Sequence, residues 1–289
     1  MDIVIQSENL STATVDAFRV ACLAARVRRR ENAARLFRLA DDAQTRKVAT
    51  ALAAYWRCDA TFVPRQMWRA DFRVLVLDMD STAITIECID EIARLAGKGK
   101  QVAAITESAM RGEIPDYAQS LRQRVAMLAG TDESVLDRVR SERLRLSPGA
   151  QSLISAARAS GWKTLLVSGG FTVFAEFVCQ ELGIDRCCAN GLITSAGRLT
   201  GEVCGPPEND GQIVDAAGKA RALQRLCSDL GCAADRAIAI GDGANDLEMM
   251  ALAGLPVAYR AKPIVRQQAD FALDHSGLDG ILHIFSDAW

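Results

Sequence analysis

The chain has 289 residues, enough for one large or two modest domains. Hydrophobic residues at 49% and charged residues at 24% are ordinary for a soluble globular protein, and a net charge of −2 gives no electrostatic reason to expect nucleic acid as a partner. The start lacks the basic and apolar segments of a secretion signal and no run approaches the roughly 18 apolar residues of a membrane span, so a cytoplasmic protein with no membrane contact is expected.

Residues 1–70 read as a small α/β domain. The pattern predicts strands at Ile3–Gln6 and Ala60–Val63, with helices near Ala13–Ala25 and Thr45–Trp56. The basic cluster Arg26, Arg28, Arg29 and Arg30, followed by Glu31, reads as a solvated helix face.

From residue 71 to 289 strands and helices alternate, which predicts a doubly wound parallel sheet of Rossmann-like type. The apolar run Phe72–Leu77 is long enough for a buried strand and too short for a helix. Further strands are expected at Trp162–Val167, Ala237–Ile240 and Leu255–Ala258, with helices at Phe171–Leu182 and Ala216–Leu230. Leu192–Gly201 reads as a hairpin around Ser195-Ala196-Gly197. Between the first two strands, residues 85–146 are mostly helical in pattern and too long for a plain crossover, so an inserted helical cap is expected.

Polar loops follow three of these strands: Asp78-Met79-Asp80-Ser81-Thr82, Ser168-Gly169-Gly170 and Gly241-Asp242-Gly243-Ala244-Asn245-Asp246. In such sheets ligands sit beyond the carboxyl ends of the strands. Two carboxylates two residues apart at a strand end share a side and call for a cation or a shared proton. Mg²⁺ suits hard carboxylate oxygens, and Asp242 supplies another. Asp78 is placed to be a nucleophile and Asp80 a proton donor and acceptor. Ser168 and the amides near Gly169 lie where an anion is stabilised. Lys219 opens a helix and can neutralise phosphate charge, with Asn245 and Asp246 positioning the site. Each motif alone reads more readily as a turn or a helix cap; the order and spacing of all of them is what is specific. With no CxxC pair among nine cysteines and only His275 and His283, zinc has little support.

The order Asp78-x-Asp80-x-Thr82, Ser168-Gly169-Gly170, Lys219 and Gly241-Asp242-Gly243-x-Asn245-Asp246 resembles the haloacid dehalogenase superfamily of phosphatases. The phrase Asp78–Ala93 narrows this to its phosphoserine-hydrolysing branch. The resemblance covers about Val74 to Phe285. It implies an aspartyl phosphate on Asp78, acid–base work by Asp80, and Mg²⁺ held by Asp78, the Asp80 backbone carbonyl and Asp242. Ser168, Gly169, Lys219 and Asn245 would hold the phosphoryl group. Glu87 would take the substrate ammonium and Arg124 its carboxylate, with Met110 and Tyr117 around O-phosphoserine. Arg122 lies close to Arg124 in the same segment. A homodimer and a place at the last step of serine synthesis are also implied.

Two features depart from the pattern. Gly112–Tyr117 is one residue longer than the usual turn and contains a proline, and Gly218 precedes Lys219 where glycine loosens a helix start. Many bacterial relatives carry a ligand-binding ACT domain of βαββαβ order at the amino terminus; the two strands read here fall short of that order. The rival readings are a phosphotransferase acting on another alcohol such as homoserine, and an inactive relative that binds an amino acid as a regulator.

Overall fold

The computed structural model describes every residue from 1 to 289 except Pro115, so the proline of the long Gly112–Tyr117 turn lies outside the described residues. The amino-terminal part runs β1 (Asp2–Gln6), α1 (Thr12–Ala21), β2 (Arg26–Arg29), β3 (Ala33–Phe37), α2 (Ala43–Trp56) and β4 (Asp59–Val63). Its strands form an antiparallel sheet in the order β2-β3-β1-β4. The chain order is βαββαβ, which corrects the two-strand expectation. The basic cluster forms β2 rather than a helix face, and the helix expected to reach residue 25 stops at Ala21. An edge strand accepts charge on its exposed positions, and of β2 only Val27 turns toward the small core.

Arg35 hides β3 from sequence patterning. It is 1% exposed, with Nε 3.0 Å from Asp2 Oδ2, and it donates to the carbonyls of Ile284, Phe285 and Pro64. A buried guanidinium needs such partners, and here they tie the small sheet to the carboxyl-terminal turns. Ile3 and Ile5 face Phe18 and Leu36, whereas Val4 on the other face joins Val63 and Phe72 in the main core.

The larger part begins with β5 (Val74–Leu77), followed by α3 (Cys88–Leu95), α4 (Gly99–Met110), α5 (Tyr117–Ala126), α6 (Ser134–Arg138) and α7 (Ala150–Ala159). Then come β6 (Lys163–Phe171), α8 (Thr172–Leu182), β7 (Arg186–Ser195), β8 (Arg198–Cys204) and α9 (Ala216–Asp229). β9 (Ala237–Gly241), α10 (Leu247–Leu252), β10 (Leu255–Tyr259), α11 (Pro263–Gln268) and β11 (Phe271–Leu273) complete it. The seven strands lie in the order β11-β10-β9-β5-β6-β7-β8, parallel except for the β7–β8 hairpin at one edge.

The strands are buried on both faces, which is why they read as unbroken apolar runs. Val74 and Val76 pack on one side with Leu165, Val167 and Ala239; Leu75 and Leu77 pack on the other with Leu166 and Ile240. Leu77 pairs with both Leu166 and Ile240, so β5, β6 and β9 reach one edge together. Asp78, Ser168 and Asp242 therefore leave the sheet side by side. The inserted helices α3–α6 are closed at their base, where Ile84 bridges Leu146 and the Thr85 N–H donates to the Arg145 carbonyl. Among the described residues no helix is long and apolar enough to cross a membrane.

Candidate active site

A cavity of about 670 Å³ opens between the carboxyl edge of the sheet and the inserted helices. Asp78, Asp80, Ser168, Gly169, Asp242 and Asn245 line its floor side, and Glu87, Met110, Tyr117 and Arg124 its helical side. Arg122 is exposed and not among the lining residues. Lys219 and Asp246 are fully buried and lie beneath the floor rather than on it.

Asp78 follows β5 directly, and its N–H donates to the Ile240 carbonyl of β9. Its Oδ1 accepts from the Met79 N–H at 2.8 Å and sits 2.6 Å from Lys219 Nζ. The other contact of Nζ is Asp246 Oδ1 at 2.7 Å. Asp246 Oδ2 in turn accepts from the N–H groups of Asp242 at 3.1 Å and Gly243 at 3.0 Å. One lysine thus joins the loops after β5 and β9. Burial pushes the Asp78 carboxyl well up and the Asp246 charge adds to this, against the pull of Lys219. Burial alone would lower the Lys219 ammonium, yet Asp246 and Asp78 outweigh it and the net shift is upward.

After Asp78 the chain makes a wide turn, Met79–Ala83, in which Ser81 takes a left-handed φ of 56°. A non-glycine residue held there costs on the order of 1 kcal/mol. The return is position: Ser81 Oγ donates to Glu87 Oε1 at 2.7 Å, and Asp80 faces the cavity. Asp80 Oδ1 is buried and has no hydrogen-bond partner among the described residues. Burial and the Glu87 charge push this carboxyl up to about 7. That value suits a group that both gives and takes a proton near neutrality.

Ser168 is 1% exposed and its Oγ accepts from the Gly170 N–H at 2.8 Å. Gly169 is required by Tyr117: a Cβ on Gly169 would lie 2.1 Å from the tyrosine oxygen. Burial pushes the Tyr117 phenol up to about 12, so it stays protonated. Arg124, about two turns along α5, holds its guanidinium 6.0 Å from the Tyr117 ring centre, and its Nε donates to the Ser120 carbonyl at 3.4 Å. Glu87 begins α3 without capping it, so its carboxylate serves Ser81 and the cavity instead of the helix end. Met110 is 78% exposed and stands at the rim.

Carboxylate oxygens of Asp78, Asp242 and Asp246 lie within 4.8 Å of one another. Both Asp246 oxygens are already bonded, which leaves Asp78 and Asp242 as the available donors. Burial and the Asp246 charge push Asp242 up to about 6, against the weaker pull of Lys262 and Lys219. A hard divalent cation fits this donor set, which contains no histidine or thiol.

A family model described as haloacid dehalogenase-like hydrolase matches residues 75–251, from β5 to α10. The chain belongs to the haloacid dehalogenase-like hydrolases. A curated phosphoserine phosphatase of Polaromonas sp. is 53% identical over 215 residues, 74% of this chain and 90% of that protein. The unliganded structure of a probable phosphoserine phosphatase from Vibrio cholerae matches with a TM-score of 0.82 at 36% identity, covering 99% of this chain and 87% of the other. The structure of a phospho-aspartyl intermediate analogue of phosphoserine phosphatase matches with a TM-score of 0.67 at 34% identity, covering 74% and 99%.

Within this hydrolase, three residues that the sequence reading passed over also reach the site. Lys262 lines the cavity, and its N–H donates to the Asp242 carbonyl at 3.0 Å. Asp90, one turn after Glu87 on α3, lines the cavity near Arg124. Asn190 lies outside the cavity but bonds its wall, since its Nδ2 donates to the Gly169 carbonyl at 2.8 Å. An asparagine within a strand-like segment is unusual in the sequence, but its partners, the Gly169 carbonyl and the Val214 N–H, come together only in the fold.

Proposed function

We propose that this hydrolase cleaves O-phospho-L-serine to L-serine and phosphate through a phosphorylated Asp78. The observation that carries the reading is the arrangement of one cavity. Asp78, backed by Lys219, and Ser168 lie at the sheet edge, while Glu87 and Arg124 offer opposite charges from the cap. A substrate with a phosphoryl group at one end and an ammonium and a carboxylate at the other meets all of these groups. The Polaromonas relative, named a phosphoserine phosphatase, supports the substrate, and the phospho-aspartyl analogue supports the intermediate.

In the first step an Asp78 oxygen attacks phosphorus and the bond from phosphorus to the serine oxygen breaks, with Asp80 giving its proton to that oxygen. In the second, water attacks the same phosphorus, Asp80 takes the water's proton, and the bond to Asp78 breaks to release phosphate. Ser168 and Lys219 counter the charge on the phosphoryl oxygens. Mg²⁺, held by Asp78, Asp242 and the Asp80 carbonyl, would add positive charge at the phosphoryl group. Arg124 grips the carboxylate through paired hydrogen bonds and Glu87 takes the ammonium. In this reading residues 1–70 form a separate α/β domain, residues 71–289 with a cap at about 85–146 carry the chemistry, and the reaction closes serine synthesis in the cytoplasm.

The test is phosphate release from L-phosphoserine with and without Mg²⁺, beside other phosphomonoesters and with homoserine as a competing acceptor. Mg²⁺-dependent release that strongly prefers phosphoserine is expected. Release from other esters alone would overturn the substrate, and transfer to homoserine in place of water would make the protein a phosphotransferase.

A further inference from the structure

Asn190 sits in the interior of β7 and is completely buried. Asparagine is disfavoured in strands, and a buried carboxamide is costly unless both its ends are bonded. Both ends are. Nδ2 donates to the Gly169 carbonyl at 2.8 Å, and Oδ1 accepts from the Val214 N–H at 2.9 Å.

The strand register explains why a side chain is needed there. β6 and β7 pair at Val167–Cys188 and again at Phe171–Asn190, so Ser168, Gly169 and Gly170 bulge out opposite a single residue, Ala189. A bulge interrupts the ladder and leaves backbone groups unpaired. Asn190 supplies the missing donor for Gly169.

That carbonyl belongs to the peptide joining Gly169 to Gly170. The N–H of the same peptide donates to Ser168 Oγ at 2.8 Å. The peptide plane is therefore held at both ends, and Ser168 Oγ, already accepting, keeps its own proton to donate elsewhere. With glycine on both sides, rotation of this peptide meets little steric resistance. A flip would bring a carbonyl oxygen up to Ser168 Oγ, and the hydroxyl would donate to it. The proton would then be lost to an anion in the cavity. The second bond of Asn190 reaches Val214, just before Asp215, the N-cap of the helix α9 that carries Lys219.

We propose that Asn190 is a positioning residue for phosphoryl binding: it locks the Gly169–Gly170 peptide so that Ser168 donates to the phosphoryl oxygen, and it holds that turn against the start of the Lys219 helix. This rests on the phosphatase reading of Ser168. Asn190 touches no reacting atom and acts through Ser168.

Asn190→Leu keeps roughly the size but has no donor for Gly169 and no acceptor for Val214. Asn190→Ser shortens the side chain so that no donor reaches Gly169, and carries the same comparison if the leucine variant fails to fold. The affinity for inorganic phosphate, KM, kcat and the thermal midpoint are measured for wild type, for each variant, and for each variant combined with Ser168→Ala. A loss of about tenfold or more in phosphate affinity is expected in the folded single variants, the size of a lost charge-assisted hydrogen bond. In the Ser168→Ala background the Asn190 changes should add less than about twofold, because the two residues act as one unit. An unchanged phosphate affinity in a folded variant overturns the proposal, and so does a fully additive loss. Wild-type protein that binds phosphate but does not hydrolyse phosphoserine would refute the substrate and leave this inference standing. Wild-type protein that does not bind phosphate would overturn both.

Discussion

Lys219 Nζ lies 2.6 Å from Asp78 Oδ1 and 2.7 Å from Asp246 Oδ1, with the ammonium group completely shielded from solvent. A buried cation between two carboxylates opposes the protonation that burial and the Asp246 charge favour at Asp78. It also joins α9 to the loops after β5 and β9, so the same contact serves the fold and the site.

Lys219→Met should therefore damage both. Removing one partner of a buried ion pair leaves uncompensated charge and typically costs about 3–5 kcal/mol. Asp78 would relieve that cost by taking up a proton, which removes its nucleophilic oxygen. Denaturant unfolding and turnover at neutral pH are the measurements. A variant within about 1 kcal/mol of wild type that still turns over would show that the contact matters to neither.

Cation binding should depend on pH. Asp242, pushed up to about 6, and Asp78, also raised, must be deprotonated to act as ligands. The sign follows from the direction of the shift. A carboxylate raised in the folded state favours folding at low pH, and that contribution is lost as pH climbs from the ordinary 3.8 through about 6. A bound divalent cation reverses the loss. The rise in melting temperature on adding Mg²⁺ should grow between pH 5 and pH 7, with the affinity changing about tenfold across the Asp242 titration alone. A pH-independent rise would place the cation elsewhere.

Gly218→Ala separates helix propensity from local packing. An exposed helical glycine replaced by alanine gains up to about 1 kcal/mol. Here the new Cβ would lie 3.0 Å from Asn209 Nδ2 and 3.3 Å from Asp215 Oδ1. Asn209 cannot give way: it is 1% exposed, its Nδ2 donates to the carbonyls of Gln212 and Ile213, and its Oδ1 accepts from Arg221. The expected outcome is no gain, or a loss of up to about 1 kcal/mol, read from thermal or urea unfolding. A stabilised variant would mean that the loop before α9 is softer than this bonding implies.

Much of this site was legible because parallel strands buried on both faces read as plain apolar runs, and the reactive loops must follow their ends. The runs at β5, β6 and β9 placed Asp78, Ser168 and Asp242 together before any contact was known. β2 and β3 were hidden for the opposite reason. An edge strand written Arg-Val-Arg-Arg has a single inward residue, and β3 contains Arg35, whose burial depends on carbonyls nearly 250 residues away in the chain. Asn190 was illegible because its partners are a bulge and a loop created only when β6 and β7 pair. Period and propensity describe how a segment meets a core; they do not describe which distant backbone groups a fold leaves unpaired.

Arg124→Ala tests the specificity of the cap. The guanidinium faces the cavity from α5, steadied by the Ser120 carbonyl and the Tyr117 ring, while Glu87 stands on α3. A carboxylate gripped by arginine through charge-assisted hydrogen bonds is worth about 1.5–3 kcal/mol. The variant should therefore lose about 10- to 150-fold in kcat/KM for phosphoserine, with phosphoethanolamine, which lacks the carboxylate, changing by less than about threefold. Arg124→Lys keeps the charge without the two-pronged geometry and should fall between the two. Equal loss on both substrates would mean that Arg124 holds α5 and Tyr117 in place instead of reading the substrate, and the carboxylate would then have to be met by another cation at the cavity, such as Lys262 on its wall.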